Sequence, residues 1–298
     1  MPPLRGGVNA AIRGMIDFDG EHWATALQAG LGARVWRSPS DHGGLMACFR
    51  AGPFKVAYPD FVIGSSCLND AVLAAYCDGA SRLGADLIRL QTPASVEDRR
   101  VYARHPLGSI AIASLQDWSE RGWEKARRAA NRQSRSKLQI RAGRPGDGAH
   151  LHRLYLSTLH RHSGVARYSR EYFEAIAPHA ALVAVLDDEI CGFVCTGFQG
   201  SRACYMHGAH LPQARSHYPS DQLFLSMLRT ARDAGLRSFD FLPSPRGQDS
   251  LAAYKRAWGG SDISLVVSDL ALNPVRARGF SWALRLSNGL AGLRRRGA

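Results

Sequence analysis

The residues best suited to chemistry lie in the last third of the chain, around Tyr254-Lys255-Arg256-Ala257-Trp258-Gly259. Of 38 basic residues only Lys55, Lys125, Lys137 and Lys255 are lysines. An ammonium is a compact point charge on a flexible stem, without the planar fork of arginine. A lysine kept among so many arginines suggests a place where that fork would not serve. Trp258, three residues on, reads as core packing. Asp240 stands between Phe239 and Phe241 and faces opposite to both. An acid in so apolar a strand is expected to be paired, most simply with a buried arginine. The loop Ala209–Pro219 carries His210, Arg215, His217 and Tyr218, and leads into a helix beginning near Ser220. A helix N-terminus offers free N–H groups and a positive dipole end, so this loop predicts a seat for phosphate or carboxylate. The pairs His150/His152 and His160/His162 are spaced i,i+2 on helices, which points them to different faces. With no HExxH and no Cys/His quartet, no metal is expected.

The formal charge of +13 is unevenly placed. Residues 121–144 hold nine Lys/Arg against Glu124 alone, and residues 276–298 hold six arginines and no acid. The remainder is close to neutral. Such patches attract phosphate, nucleic acid or anionic lipid. In the first patch, Arg127, Arg128, Arg132 and Arg135 are the phosphate-binding candidates, weighed against a merely solvated helix face. In the second, Phe280, Trp282, Leu284, Leu286, Leu290 and Leu293 alternate with arginines. That pattern suits an interfacial helix on an anionic membrane, although Gly289 and Gly292 suit a disordered terminus equally. The six cysteines show no CxxC pair and read as free thiols of a reducing cytoplasm. Neither a secretory signal nor an apolar run long enough to cross a membrane is apparent.

These residues need a scaffold, and the pattern predicts an α+β one. Helices are expected at Glu21–Leu31, Asn69–Leu83, 119–137, His150–His162, Tyr168–Ala177, Ser220–Ala234 and Asp249–Trp258. Strands are expected at Leu45–Arg50, Phe54–Tyr58, Asp86–Gln91, Ser109–Ser114, Leu138–Arg141, Leu182–Leu186, Ile190–Phe198, Arg202–Gly208, Ser238–Leu242 and Ile263–Val267. On the basic helix, Trp123, Ala126, Ala130, Ser134 and Leu138 share one stripe. Each half runs helix, strands, helix, strand, so a duplicated α+β unit is the economical reading.

The lead "YPSDQLF…AGLRSFDF" followed by "GQDSLAAYKRAWGG" resembles the Fem-type (FemAB-like) branch of the GNAT acyltransferase superfamily. The marks are a helix before a Phe-Asp strand, here Phe239-Asp240, and then an aromatic-Lys-x-x-aromatic-Gly element, here Tyr254-Lys255-x-x-Trp258-Gly259. The likeness covers roughly residues 45–268. It implies two tandem GNAT-like domains, a duplicated mixed β-sheet flanked by helices. The first would span 1–118; a basic connector helix plus the second, acyltransferase domain would span 119–272, and 273–298 would be the tail. It also implies acyl or aminoacyl transfer to an amine, with acyl-CoA or aminoacyl-tRNA as co-substrate. The acceptor would be an amine-bearing small-molecule or lipid-linked precursor of the cell envelope or a polysaccharide. Lys255 would supply positive charge to the carbonyl oxygen or hold a donor phosphate. Tyr254 or Tyr218 would position the nucleophile or pass a proton, and Asp240 and His207 are the base candidates.

Three departures accompany the likeness. The Arg/Gln-x-x-Gly-x-Gly/Ala loop of ordinary GNAT enzymes is absent between His207 and Ser220. The family's FDFG reads FDFLP, so a different turn is expected after that strand. No long heptad segment offers the coiled coil that some members use for tRNA. The competing reading is a non-catalytic GNAT-fold protein that binds nucleic acid or an anionic lipid-linked substrate through the basic helix. In either case a cytoplasmic location is expected, with the tail touching the inner face of the membrane.

Overall fold

A computed structural model describes residues 12–38, 44–65, 68–162, 164–244 and 249–296, with side chains through residue 286. In chain order the elements are β1 (Met15–Asp17), α1 (Glu21–Leu31), β2 (Arg34–Arg37), β3 (Leu45–Ala51), β4 (Phe54–Pro59), α2 (Asp70–Arg82), β5 (Leu87–Thr92) and β6 (Val101–Ile112). Then follow α3 (Glu124–Gln133), β7 (Gln139–Ala142), α4 (Gly148–Arg161), α5 (Arg170–Ala180), β8 (Ala181–Leu186), β9 (Glu189–Gln199) and β10 (Arg202–His210). The last are α6 (Pro219–Asp233), β11 (Ser238–Asp240), α7 (Asp249–Arg256), β12 (Ser261–Ala271) and α8 (Pro274–Arg296).

The chain forms two compact units, and they are not consecutive in sequence. Residues 1–32 join 108–264, and residues 33–107 join 265–298. This departs from the expected boundaries at 118 and 272, for a local reason. The short strand β1 pairs in parallel with β9, Met15 opposite Thr196, and α1 lies against α5. The N-terminal residues therefore complete the unit that holds Lys255. The strands β6 and β12 each carry the chain from one unit into the other.

In the larger unit the strand order is β6-β11-β10-β9-β8-β7, with β1 on β9. The pairs β8–β9 and β9–β10 are antiparallel hairpins, β7–β8 and β6–β11 are antiparallel partners distant in sequence, and β10 and β11 run parallel with α6 as their crossover. The helix α6 buries Leu223, Phe224, Leu225, Met227, Leu228 and Ala231. Full burial of such side chains is worth about 1.5–3 kcal/mol each, so α6 is firmly seated. Across α1 and α5 the backbones nearly touch, because a Cβ on Gly30 would lie 2.4 Å from Cα of Tyr172. Ser169 caps α5 by accepting from the Tyr172 N–H at 3.2 Å.

The smaller unit orders its strands β2-β3-β4-β5-β12. Its core gathers Met46, Ala57, Tyr76, Ala80, Ile88, Leu90 and Leu270. Asn69 caps α2 through the Val72 N–H at 2.9 Å.

Two expected elements change form. The basic helix is broken into a 3-10 turn at Glu120–Gly122 and the shorter α3, with Trp123 between them as N-cap. Ala126 and Ala129 are its buried residues, so the five-residue stripe does not form and Trp123 stays 39% exposed. The tail is a helix to Arg296, so neither Gly289 nor Gly292 ends it. Cys67 and residues 297–298 lie outside the described residues, as do the side chains of Leu290 and Leu293.

Candidate functional site

The parallel register of β10 and β11 covers Arg202↔Ser238, Ala203↔Phe239 and Cys204↔Asp240. Beyond it β10 continues to His210 along β9, while the other chain turns at Leu242. Leu242 adopts φ 60°, a left-handed conformation costly for a branched side chain. The turn is pinned at both backbone groups. Its N–H donates to Asp240 Oδ1 at 2.7 Å, and its carbonyl accepts from Lys255 Nζ at 2.7 Å. Asp240 also accepts from the Ser109 hydroxyl at 2.6 Å. Its hydrogen bonds thus go to a serine and a backbone N–H rather than to the expected arginine.

Lys255 is 2% exposed at the last turn of α7. Burial lowers its ammonium to a pKa of about 8, with the negative charge of Asp240 acting the other way. Burial also pushes the Asp240 carboxyl up, against the hydrogen bonds from Ser109 and Leu242 and the charges of Arg202 and Lys255. Around them lies a dry aromatic floor. The ring of Phe224 is 6.0 Å from Phe241, 5.0 Å from Tyr254 and 5.7 Å from Trp258. Trp258 is fully buried, as its packing reading requires.

A second network begins one residue away. The Tyr254 hydroxyl donates to Asp221 Oδ1 at 3.0 Å. Asp221, 5% exposed in the first turn of α6, also pairs with Lys125 at 3.1 Å and Arg132 at 3.2 Å. Burial raises the Tyr254 phenol well above its usual pKa, and the Asp221 charge adds to this. It therefore stays protonated at neutral pH. The Arg132 guanidinium in turn sits 3.8 Å from the centroid of the Tyr218 ring.

Arg132 and Tyr218 both line an open cavity of about 670 Å³, together with Arg128, Arg135, Lys137 and His217. None of the described residues lining it is acidic. The cavity adjoins the N-terminus of α6, where Tyr218 is the N-cap and contributes no side-chain cap. Four cationic side chains thus line the cavity beside a helix N-terminus, and of these Arg128 pairs with Glu124 and Arg132 with Asp221.

The remaining sequence-predicted residues fall elsewhere. Arg127 is exposed and does not line the cavity, and Arg215 is exposed on the 3-10 turn Pro212–His217. Ser220 is hydrogen-bonded with His210 Nδ1 at 2.8 Å rather than capping α6. His207 is turned aside by a bulge in β10 between Tyr205 and His207. Two residues apart, these side chains would share a face, and the extra residue reverses one of them. Tyr205 therefore packs on Phe224, while His207 meets Tyr168, Tyr172 and Phe173. Its Nε2 lies 2.9 Å from the Tyr172 hydroxyl, and desolvation lowers its pKa to about 3. It is a neutral imidazole at physiological pH.

Sequence reasoning overlooked Asp221, Lys125, Ser109 and Lys137. A faint signal existed for Lys125 and Lys137, because both belong to the same small set of lysines as Lys255.

Residues 121–256 match the sequence profile described as an acetyltransferase (GNAT) domain. That segment contains the α6 network and both members of the Tyr254-Lys255 pair. The chain has the GNAT fold. It superposes on the crystal structure of FemX with a TM-score of 0.60 at 13% identity, covering 88% of this chain and 93% of that one. A C-terminal domain assigned to a lysylphosphatidylglycerol synthetase of Agrobacterium fabrum gives 0.59 at 17% identity, covering 89% and 92%. The structure of L-PGS from Bacillus licheniformis gives 0.55 at 17% identity, covering 88% and 96%. No curated protein sequence matches the chain significantly.

Proposed function

We propose that this protein is an N-acyltransferase that moves an acyl or aminoacyl group from a thioester or ester to an amine on a cell-envelope or polysaccharide precursor. The observation that carries this reading is the linkage of Lys255 to an anion seat. The hydrogen bond from Tyr254 to Asp221, and the ion pair from Asp221 to Arg132, join the Tyr254-Lys255 pair to the basic cavity. Every co-substrate considered carries phosphate, as does a lipid-linked or nucleotide-linked acceptor. One of the proteins sharing the fold has a name that joins a lysyl group to a phospholipid, which supports an envelope acceptor.

The amine nitrogen attacks the carbonyl carbon, and the C–N bond forms as the carbonyl oxygen gains negative charge. Lys255, held by the Leu242 carbonyl, presents an ammonium whose other N–H donors suit that oxygen. The intermediate collapses with cleavage of the C–S or C–O bond. Tyr254, kept protonated, would give a proton to the leaving group, with Tyr218 on the cavity side as the alternative donor. Asp240, whose carboxyl is shifted upward, is the closer candidate for the proton lost by the amine. His207, its pKa lowered to about 3, would be too weak a base for that role. Arg128, Arg132 and Arg135 would hold phosphate in the cavity, whereas Arg127, Arg215 and Ser220 do not line it. No metal takes part in this scheme. The protein would work in the cytoplasm.

The test is product formation by the purified full chain, followed by mass spectrometry, with acyl-CoAs and aminoacyl-tRNAs offered in turn with amine acceptors. Lys255→Ala should lower kcat by about 10²–10³-fold, the usual cost of one lost oxyanion donor. Lys255→Arg should recover little of it, since a planar fork does not fit a point-charge site. Unchanged turnover in Lys255→Ala would remove the lysine from the mechanism. Phosphate-dependent binding without turnover on any donor would favour the non-catalytic binding reading.

A further inference from the structure

The C-terminal helix α8 presents two apolar faces, and packing accounts for one of them. Ala277 is fully buried and Phe280 is 7% exposed, in one cluster with Val56 and Leu87. The Phe280 ring meets Phe54 at 5.8 Å, and the Arg89 guanidinium lies 5.5 Å from its centroid. Arg276 anchors the start of the helix through Asp86 at 2.6 Å and the Pro53 carbonyl. These contacts fix the rotation of the helix. At about 100° per residue, positions 275, 282 and 286 lie on the side away from 277, 280 and 284. That outer side carries Val275 at 82%, Trp282 at 67% and Leu286 at 47% exposure. Arg278 and Arg285, both exposed, border it on one flank.

We infer that this outer face of α8 docks the protein on an anionic lipid bilayer. The stripe has the composition of a helix lying in the plane of the interface: a tryptophan and aliphatic side chains flanked by arginines. From Pro274 to the end of the chain there are six arginines and no Asp or Glu. Arginine beside such a surface gains from the negative potential of the leaflet, whereas an acid would be repelled. A second copy of the chain is a poorer occupant, because a two-fold contact would bring the arginine flanks of both copies together with no acid on α8 to offset them. No described helix is long and apolar enough to cross a membrane, so the contact is peripheral. The inference is independent of the transfer reaction, and its test needs no activity.

The experiment is co-sedimentation of the full chain with phosphatidylcholine vesicles with and without phosphatidylglycerol. Binding should require phosphatidylglycerol and weaken with added salt. Arg278→Ser/Arg285→Ser should weaken the partition coefficient about thirtyfold, taking each arginine at its usual worth near an anionic surface. Trp282→Ser/Leu286→Ser should weaken it at least tenfold. All four side chains are exposed, and unchanged circular-dichroism melting confirms that the variants fold. Equal binding to neutral vesicles, no binding at all, or binding indifferent to both double variants would overturn the inference. So would a dimer in sedimentation velocity that Trp282→Ser/Leu286→Ser dissolves, since the face would then belong to a second copy.

Discussion

Lys255 and Leu242 constrain each other at the residue scale. The lysine holds its charge in a buried place, and the leucine holds a conformation that favours glycine. In the unfolded chain a lysine titrates near 10.4, whereas burial brings Lys255 to about 8. Between those values the unfolded state binds more protons than the folded one, so stability rises with pH across that window. Below about pH 8 the buried ammonium is a standing cost. Urea titrations from pH 7 to 10 should therefore show the wild type gaining on Lys255→Met as pH rises, and parallel curves would show that the lysine is not desolvated. Leu242 offers a separate check. The family's glycine at this position would adopt φ 60° freely, so Leu242→Gly should retain the turn and cost little. Leu242→Val, branched at Cβ, should cost about 1–3 kcal/mol in thermal or chemical unfolding. Two hydrogen bonds, from Leu242 N–H to Asp240 and from Lys255 to the Leu242 carbonyl, hold leucine in a conformation that glycine would adopt without help.

Elements were legible where local chemistry determines them, and illegible where partners do. The apolar periodicity of α1, α2 and α6, with Asn69 before α2 and the glycines Gly32 and Gly235 after α1 and α6, places those helices within a residue or two of their observed ends. The strands β1 and β2, of three and four residues, are too short to show a period and exist because β9 and β3 offer them an edge. The candidate site divides the same way. The Tyr254-Lys255 pair and the arginines of α3 could be read from residue type and spacing. The role of Asp221 could not, since its partners Lys125, Arg132 and Tyr254 are distant in sequence. The bulge that removes His207 from Tyr205's face is likewise a property of pairing, not of composition. The α1–α5 contact gives the sharpest prediction at this scale. A Cβ at Gly30 would meet the backbone of Tyr172 at 2.4 Å, and neither helix can yield without moving its buried face. Gly30→Ala should destabilise by about 1–3 kcal/mol despite alanine's better helix propensity. A stabilised variant in calorimetry would show that the helices are free to separate.

The interleaving of two compact units decides what can fold alone at the scale of the whole molecule. Sequence reasoning drew consecutive domains, and residues 119–272 were expected to hold the complete acyltransferase domain. In the structure that segment lacks parts of its own core. Met15, Ile110, Ile112, Leu115 and Trp118 belong to the same buried cluster as Leu223, Phe239 and Trp258. The Trp118 indole N–H donates to the Trp258 carbonyl at 2.8 Å, beside the Tyr254-Lys255 pair. Cutting at 119 would also remove the Ile112 and Ala111 partners of Phe239 and Asp240, and so expose an edge of β11 in the middle of the site. It would remove Ser109 from the Asp240 carboxylate as well. A fragment of residues 119–272 should therefore be insoluble or lack a cooperative melting transition, whereas the full chain should melt cooperatively. Supplying residues 12–32 and 108–118 from a second polypeptide should restore structure, because those segments carry the missing side chains. A cooperatively folded fragment 119–272 would show that β1, α1 and the end of β6 add to this unit without being required by it.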